Sequence, residues 1–344
     1  MASIFHSGQK TSEKNQFFFK KVLTFSLIIG CLLLQTASTP YWGFWAHKHI
    51  NRLAIFRLPP EMQVFFKKYI DFLTENAVNP DKRRYAVVGE AERHFIDLDV
   101  YGDRALMMLP KHWPAAVRKM GEDSLRKHGI VPWHVQAAAS QLTAAFRQKD
   151  ARRILRISAD LGHYIADAHV PLHTTRNYNG QLTGQDGIHG FWESRLPELF
   201  ANHYDMWLGP ASYRKDIAVD IWKVIESSHA AMDSVLLFER QLTAGFKPDQ
   251  KYSFELRNNV LTRTQSREFS EKYHRMLAGQ VERRMAASVQ MVSDIWYTCW
   301  VNAGQPNLSL LAGNAGEVQE GKAEAAEHQS WLQRLLHVRP ESDN

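Results

Sequence analysis

Hydrophobic residues recur every three or four positions along most of this chain, a spacing that places them on one face of an α-helix. Alternating runs of β-branched residues, which are typical of half-buried strands, are almost absent. The pattern predicts one all-α domain over residues 42–310, interrupted at 174–187 by a polar loop with three glycines and two asparagines. Within this domain we predict eight helices, at residues 50–56, 60–74, 114–128, 134–147, 151–169, 189–200, 217–242 and 267–301.

The N-terminal segment differs from this helical pattern. Lys20 and Lys21 precede a short apolar run at 22–34, and small polar residues follow it, which is the layout of a secretory signal peptide. We therefore assign residues 1–38 to a signal peptide and expect an exported protein, either periplasmic or secreted. The alternatives are that the segment is retained as an N-terminal anchor, or that Cys31 is lipidated, because the residues before it resemble a bacterial lipoprotein processing site.

Composition narrows the classes of protein to which the chain can belong. Its 344 residues are 44% hydrophobic and 23% charged, which excludes a disordered, collagen-like or multi-span membrane protein. Half of the net charge of +6 lies in residues 1–38, so the rest of the chain is only weak evidence for a polyanionic partner. Two cysteines exclude a disulfide framework, whereas 16 histidines need an explanation. Residues 311–344, rich in Gly, Ala, Glu and Gln, are predicted to form a mobile tail.

The densest group of histidines flanks the predicted polar loop. His163 and Asp167 are four residues apart on a predicted helix, so they share one helix face, and His173 follows just past its end. After the loop, His189 and Glu193 are again four residues apart. Zinc prefers imidazole and carboxylate ligands, so this spacing predicts a metal site. A surface or helix-capping interaction explains one such pair alone, but two pairs and a further histidine within 31 residues argue against that reading.

Three further residues are less informative when each is taken alone. His94 stands in the apolar segment RHFID, where a histidine packed in the core is the simpler interpretation. Asp81 follows Pro80 in NPDKRRY, which is typical of a turn, and His47 stands five residues after Trp42. These residues gain meaning only from the order in which they occur.

In that order, the segments resemble the superfamily that joins zinc-dependent bacterial phospholipases C with the fungal and plant single-strand-specific nucleases. The matching motifs read WGFWAH, NPD, HFID, HYIADAHVPLH and HGFWE, and they span residues 42–200. The resemblance implies an all-α bundle with up to three zinc ions at the bottom of a cleft. Clustered zinc ions offset the negative charge of a phosphodiester and make water acidic enough to attack it near neutral pH.

The resemblance also implies which residues hold the ions. One site would use Asp81, His94, His163 and Asp167, and a second would use His173, His189 and Glu193. The third would use Trp42, His47 and the other oxygen of Asp167, which then bridges two ions. Asp81 and Asp167 are the expected catalytic residues, with Asp81 orienting the attacking water.

The start of the mature chain departs from the family pattern. In the family, the free amino group and carbonyl of an N-terminal Trp bind the third ion. Here Tyr41 precedes Trp42, no good signal-peptidase site lies between them, and Pro40 disfavours cleavage after Thr39. Unless the chain is trimmed to Trp42, the resemblance predicts a third site that binds less completely than the other two.

Three observations favour a phospholipase C-like activity. The bacterial phospholipases carry Glu where Glu193 stands, this chain lacks the disulfides of the eukaryotic nucleases, and its signal peptide looks bacterial. Phospholipid head groups are then the substrate, membrane contact is expected, and no obligate protein partner is evident. The alternative is a nuclease or nucleotidase acting on single-stranded nucleic acid, because HFID matches the nucleases equally well. An alternative of another class is a non-catalytic metal-binding helical protein.

Overall fold

Helices make up most of this computed structural model, which describes residues 43–257 and 260–311, and the side chains of 43–256 and 261–311. The predicted signal peptide, Trp42 and the predicted tail after Leu311 lie outside these residues. Within the described ranges the strands form one short hairpin, so the predicted all-α fold is confirmed. The helices before the polar loop are α1 (Phe44–Phe56), α2 (Pro60–Lys68), α3 (Ile70–Glu75), α4 (Asn79–Arg83), α5 (Ala105–Met108), α6 (Trp113–Met120), α7 (Glu122–Lys127), α8 (Val131–Gln148) and α9 (Ala151–His169).

The second half of the chain adds shorter helices around the loop and two long ones that close the core. Its elements are α10 (Ile188–Gly190), α11 (Leu196–Phe200), α12 (Ile217–Gly245), α13 (Pro248–Lys251), β1 (Tyr252–Arg257), β2 (Val260–Gln265), α14 (Arg267–Met276) and α15 (Gln280–Asn302). No helix in the described part of the chain is long and apolar enough to cross a bilayer.

Three of the predicted helices are interrupted. The helix predicted at 60–74 breaks at Tyr69, between α2 and α3. The helices predicted at 114–128 and 267–301 break at Gly121 and Gly279, whose φ angles are 78° and 76°. Positive φ ends a helix and is readily adopted only by glycine, which explains these two breaks.

The hairpin of β1 and β2 was not predicted. Its strands, YSFELR and VLTRTQ, alternate along their length but contain few β-branched residues. The described residues fall into two units, one of 43–255 with 262–311 and a short one of 256–257 with 260–261.

The core lies where α1, α8, α9 and α15 pack together, and Trp296, Phe66 and Phe146 are fully buried there. Helix α9 is buried on nearly every side, including His163 and Asp167. A buried polar side chain costs free energy unless it is paired, so each of these groups requires a partner inside the fold.

Helices α1 and α9 approach each other closely at Gly162. A Cβ atom at Gly162 would lie 1.9 Å from Asn51 Oδ1 in α1, so only glycine fits at this position. Asn51 donates hydrogen bonds to the carbonyl oxygens of Ala159, at 3.1 Å, and of Leu73, at 3.3 Å. This contact brings His47, one turn before Asn51, against His163, with 4.0 Å between the two ring centroids.

Candidate metal centre

The structure brings together eight of the nine predicted metal ligands, and the ninth, Trp42, lies outside the described residues. In each of four overlapping groups of three, the candidate ligand atoms lie within 4.8 Å of one another. The groups are His94 with His163 and Asp167, His47 with Asp81 and His163, His173 with His189 and Glu193, and His47 with Asp167 and Glu193. The buried side chains of these groups could hold metal ions.

The first ligand group, as we call it, consists of Asp81, His94, His163 and Asp167. His163 Nε2 lies 3.2 Å from Asp167 Oδ2 and 3.2 Å from Asp81 Oδ1. His94 Nδ1 lies 2.9 Å from Asp167 Oδ2 and 3.5 Å from Asp81 Oδ1. Ligand atoms around a tetrahedral zinc with bonds of about 2.0–2.1 Å are separated by about 3.3 Å. The four observed distances scatter around this value, so side chains of this group could hold a metal ion.

Hydrogen bonds to the backbone orient two of the imidazole rings. His163 Nδ1 donates to the carbonyl oxygen of Ala77 at 2.9 Å, which directs Nε2 into the first ligand group. His173 Nδ1 likewise donates to the carbonyl oxygen of His94 at 2.6 Å, which directs its Nε2 toward His189. A second hydrogen bond of this kind is the usual way in which a protein fixes a metal-binding histidine.

The second ligand group consists of His173, His189 and Glu193. It stands on shorter elements: a 3₁₀ turn (Pro171–Thr174), α10, and a π-helical turn (Phe191–Arg195). The single helix predicted at 189–200 is therefore three helical segments, with the widened π turn in the middle. His189 Nε2 lies 2.7 Å from Glu193 Oε2 and 3.1 Å from His173 Nε2.

His47 connects the two groups. Its Nε2 lies 3.4 Å from Asp167 Oδ1, whereas Asp167 Oδ2 faces the first ligand group. The two oxygens of Asp167 therefore face different neighbours, Oδ1 toward His47 and Oδ2 toward His94 and His163. His47 Nε2 also lies 3.1 Å from Glu193 Oε1, a contact that the sequence did not indicate.

The charges of the cluster favour a bound cation. Burial raises the pKa of Asp167, but the neighbouring histidines outweigh this effect and hold it well below its ordinary value. The pKa values of Asp81 and Glu193 are lowered in the same way. Burial lowers the pKa of His94 to about 4, so this ring is neutral. Burial also lowers the pKa of His163, but Asp167 and Asp81 raise it well above its ordinary value. In the metal-free protein, the proton on His163 therefore supplies positive charge that a metal ion can replace.

A second set of charged and polar side chains, the Glu90 cluster, lies beside the first ligand group. It consists of Arg83, Glu90, Arg93, Asp160 and Tyr164. Glu90 is fully buried and accepts hydrogen bonds from Arg83 Nε at 3.0 Å, from Arg93 at 2.9 Å and from the Tyr164 hydroxyl. Arg83 also donates to Asp160 at 2.9 Å.

The Glu90 cluster joins the parts of the chain that carry the first ligand group, because Arg83 is in α4 and both Asp160 and Tyr164 are in α9. Glu90 Oε1 lies 3.9 Å from His94 Nε2, the ring nitrogen that faces away from the metal ligands. The sequence analysis missed this cluster, since its members follow no helical spacing and no motif names them.

The donor set determines which ions fit the centre. It consists of imidazole nitrogens and carboxylate oxygens, and Cys299 is buried elsewhere in the core. Such ligands suit zinc and related divalent ions. Nitrogen and oxygen donors that converge at tetrahedral spacing fit the ions that the sequence implied.

His169, the last residue of α9, lies near the candidate ligands. Its Nδ1 donates to the carbonyl oxygen of Ile165 at 2.7 Å, and its ring lines a small, mostly apolar cavity that His47 and Glu193 also line. Burial and the nearby Arg284 lower its pKa to about 3, so the ring is uncharged.

Comparison with protein-family models and with curated proteins identifies no relative of this chain. No protein-family model matches the chain, and no curated protein matches it either. The family resemblance therefore rests on the order of the motifs, and a functional argument must start from the geometry of the site.

Proposed function

We propose that the protein is a zinc-dependent hydrolase of phosphoric ester bonds. The observation that carries this proposal is the position of Asp167, whose two oxygens face two different sets of ligands. A carboxylate in this position holds two metal ions only a few Å apart, the arrangement that phosphoryl chemistry uses to neutralise substrate charge.

The charge balance supports an anionic substrate. Asp81, Asp167 and Glu193 contribute three negative charges, because their pKa values are all lowered. Three divalent cations would leave the centre with a net charge of about +3. Zinc in such a centre supplies Lewis acidity, which makes water a stronger nucleophile and stabilises the charge of the transition state.

Asp81 is the ligand best placed to orient an attacking water. Its side chain is 11% exposed, whereas that of Asp167 is 2% exposed. Its Oδ1 faces His163 and His94, and its second carboxylate oxygen is a further hydrogen-bond acceptor. We propose that Asp81 holds and aims this water, while Asp167 fixes the spacing of the ions.

We propose a phospholipase C-like substrate preference, supported by Glu193 in the second ligand group and by the absence of a disulfide framework from the sequence. A single-strand-specific nuclease is the second candidate. It is favoured by the HFID segment and by Tyr178, whose half-buried ring lies 6.1 Å from the ring of His189, where a base could stack.

The test is metal analysis of the purified protein, followed by parallel assays on phosphatidylcholine vesicles and single-stranded DNA. We expect stoichiometric zinc, hydrolysis of one substrate, and loss of both in His163→Ala. His112→Ala is the matched control, because His112 is an exposed histidine outside the cluster. A protein that holds no stoichiometric metal, or holds it without hydrolysing either substrate, is a non-catalytic protein, and the proposal is then wrong.

We also propose that the protein is exported, on the evidence of the signal-like segment at 1–38. Mass spectrometry of protein recovered from cell fractions would show where the chain begins. A start at Met1 in the cytoplasm contradicts export, and a lipid on Cys31 would identify an anchored form.

A further inference from the structure

We infer that Glu193 is a second bridging carboxylate, which completes the ligand set of the third ion together with His47 and Asp167. The third site would then not depend on a terminal amine at Trp42. This inference rests on the proposed metal-dependent function and assigns to Glu193 a role that the motif pattern does not give it.

The two oxygens of Glu193 face different partners. Oε2 lies 2.7 Å from His189 Nε2 and 3.4 Å from His173 Nε2, within the second ligand group. Oε1 lies 3.1 Å from His47 Nε2. Asp167 has the same arrangement on the other side, because its Oδ1 lies 3.4 Å from the same nitrogen of His47. Each carboxylate therefore places one oxygen beside His47 and the other in a separate ligand group.

A hydrogen bond alone does not satisfy this arrangement. His47 Nε2 carries at most one proton, and that proton can be directed to only one of the two carboxylate oxygens. His47, Asp167 and Glu193 are all buried, so the second oxygen would remain a negative charge with little access to water. A cation between the three atoms serves both oxygens, and distances of 3.1 Å and 3.4 Å match the separation of about 3.3 Å between ligands of a tetrahedral zinc.

The length of the glutamate side chain makes the bridge feasible. Glu193 stands one turn after His189, and His47 belongs to α1, which lies 146 residues earlier in the sequence. Aspartate is shorter by one methylene, about 1.5 Å, so an aspartate at 193 could keep its contact with His189 but not reach His47 as well. Glu193→Asp is therefore expected to separate the two roles of this residue.

The experiment counts zinc ions per chain in the full-length protein after loading with Zn²⁺ and gel filtration, by elemental analysis and native mass spectrometry. We expect three ions in the wild type. His189→Ala should lose one ion, because it removes a ligand of the second group and leaves Glu193 in place. Glu193→Gln should lose two ions, because an amide is a poor ligand both for the ion of the second group and for the third ion. Glu193→Asp should lose one ion, the same one that His47→Ala loses.

The comparison between His189→Ala and Glu193→Gln decides the inference. Equal zinc content in these two variants would mean that Glu193 serves the second group only, and a wild type with two ions would mean the same. Circular dichroism checks that each variant folds. If Glu193→Gln does not fold, the zinc content of Glu193→Asp decides the inference instead. A Glu193→Asp variant that keeps the third ion contradicts it. A wild type without stoichiometric zinc overturns the proposed function as well, whereas the other negative outcomes leave it intact.

Discussion

The first and second ligand groups differ in what supports them. The first is carried by α4 and the long helix α9, and its His94 and His163 are completely buried. The second is carried by two short turns and α10, and its members are 6–8% exposed. The first also lies beside the Glu90 cluster, which fixes its supporting segments to one another. The first group is therefore built largely into the core, whereas the second group is carried by short segments that follow α9 in the sequence.

The segment before the second group is ordered by its own polar side chains. In the loop at 174–187, Asn177 Oδ1 accepts a hydrogen bond from the Leu182 backbone, and Asn179 Oδ1 accepts one from the Gly187 backbone. The loop is fastened to α12 by Gln185, which donates to Glu239 at 2.6 Å. The two hydrogen bonds within the loop are only partly buried, and such bonds open more readily than those of a packed core. We therefore expect the first group to hold its ion firmly and the second to exchange its ion more freely.

The largest effect should come from Asp167, which belongs to the first group and also faces His47. Asp167→Asn removes the charge that bridges two ions, so we expect activity to fall about 10³-fold, the equivalent of several kcal/mol of transition-state stabilisation. Zinc content should fall at the same time, and both are measurable on one preparation. Full activity with full zinc content in this variant would contradict the assignment of the whole centre.

Glu90→Gln tests whether the outer cluster supports the first group. We expect the most tightly held zinc to bind 10–100-fold more weakly, as is usual when a residue that positions a ligand is lost. The metal-free protein should also lose about 3 kcal/mol of unfolding free energy, because Arg83 and Arg93 lose a buried counter-charge. Zinc titration and denaturant unfolding measure the two effects.

Glu239→Gln is the matched control for Glu90→Gln. Glu239 is also a buried carboxylate, but it accepts hydrogen bonds from Gln185 and Lys251, beneath the loop that precedes the second group. We expect it to leave the affinity of the tightest zinc unchanged. If both variants weaken that zinc equally, the Glu90 cluster has no special relation to the first group.

Graded chelation of the wild-type protein should remove the ions in sequence. We expect the ion of the first group to leave last, about tenfold more slowly than the others, because His94, His163 and Asp167 are almost completely buried and the Glu90 cluster supports the segments that carry them. The order can be read by repeating the experiment in His94→Ala, which should lack the slow step. Simultaneous loss of all ions would show that the two halves of the centre are equally stable.

The smallest expected effect is the release of a proton when zinc binds. The pKa of His163 is raised in the metal-free protein, so near pH 7 the ring is protonated, and zinc binding should release about one proton from it. Zinc affinity should therefore increase with pH until the raised pKa is passed. The same shift stabilises the metal-free fold fully below the ordinary pKa of histidine, and that contribution is lost as the pH rises through the raised value. Calorimetry in buffers of different ionisation enthalpy measures the release, which should disappear in His163→Gln.

Sequence reasoning worked best where the chemistry depends on local helix geometry. His163 and Asp167 are four residues apart in a continuous helix, so their proximity follows from the helical repeat alone. His189 and Glu193 were paired for the same reason, although the helix that carries them contains a π turn that the spacing did not reveal. The positions of Asp81 and His94 were expected only from the resemblance to a family, and the structure places both beside His163.

The features that the sequence did not reveal depend on contacts between distant segments. The approach of Glu193 to His47 joins residues 146 positions apart, and Glu90 meets Tyr164 across 74 positions. No local spacing encodes such pairs. The hairpin of β1 and β2 was missed for a different reason, because each strand has only six residues and so short an alternation is a weak signal beside the long helical repeats.

The contact between Gly162 and Asn51 has a consequence for how this protein could be engineered. Because the Asn51 side chain of α1 lies directly over Gly162 and donates a hydrogen bond to the Ala159 carbonyl of α9, this one contact sets the distance between His47 and His163. Repacking of the hydrophobic core elsewhere therefore has little leverage over that distance, whereas any side chain added at Gly162 would force the helices apart. The loop at 174–187, which carries Tyr178 beside His189, can be redesigned while this helix pair is left intact, so the surroundings of the second ligand group and the spacing of His47 and His163 can be changed separately.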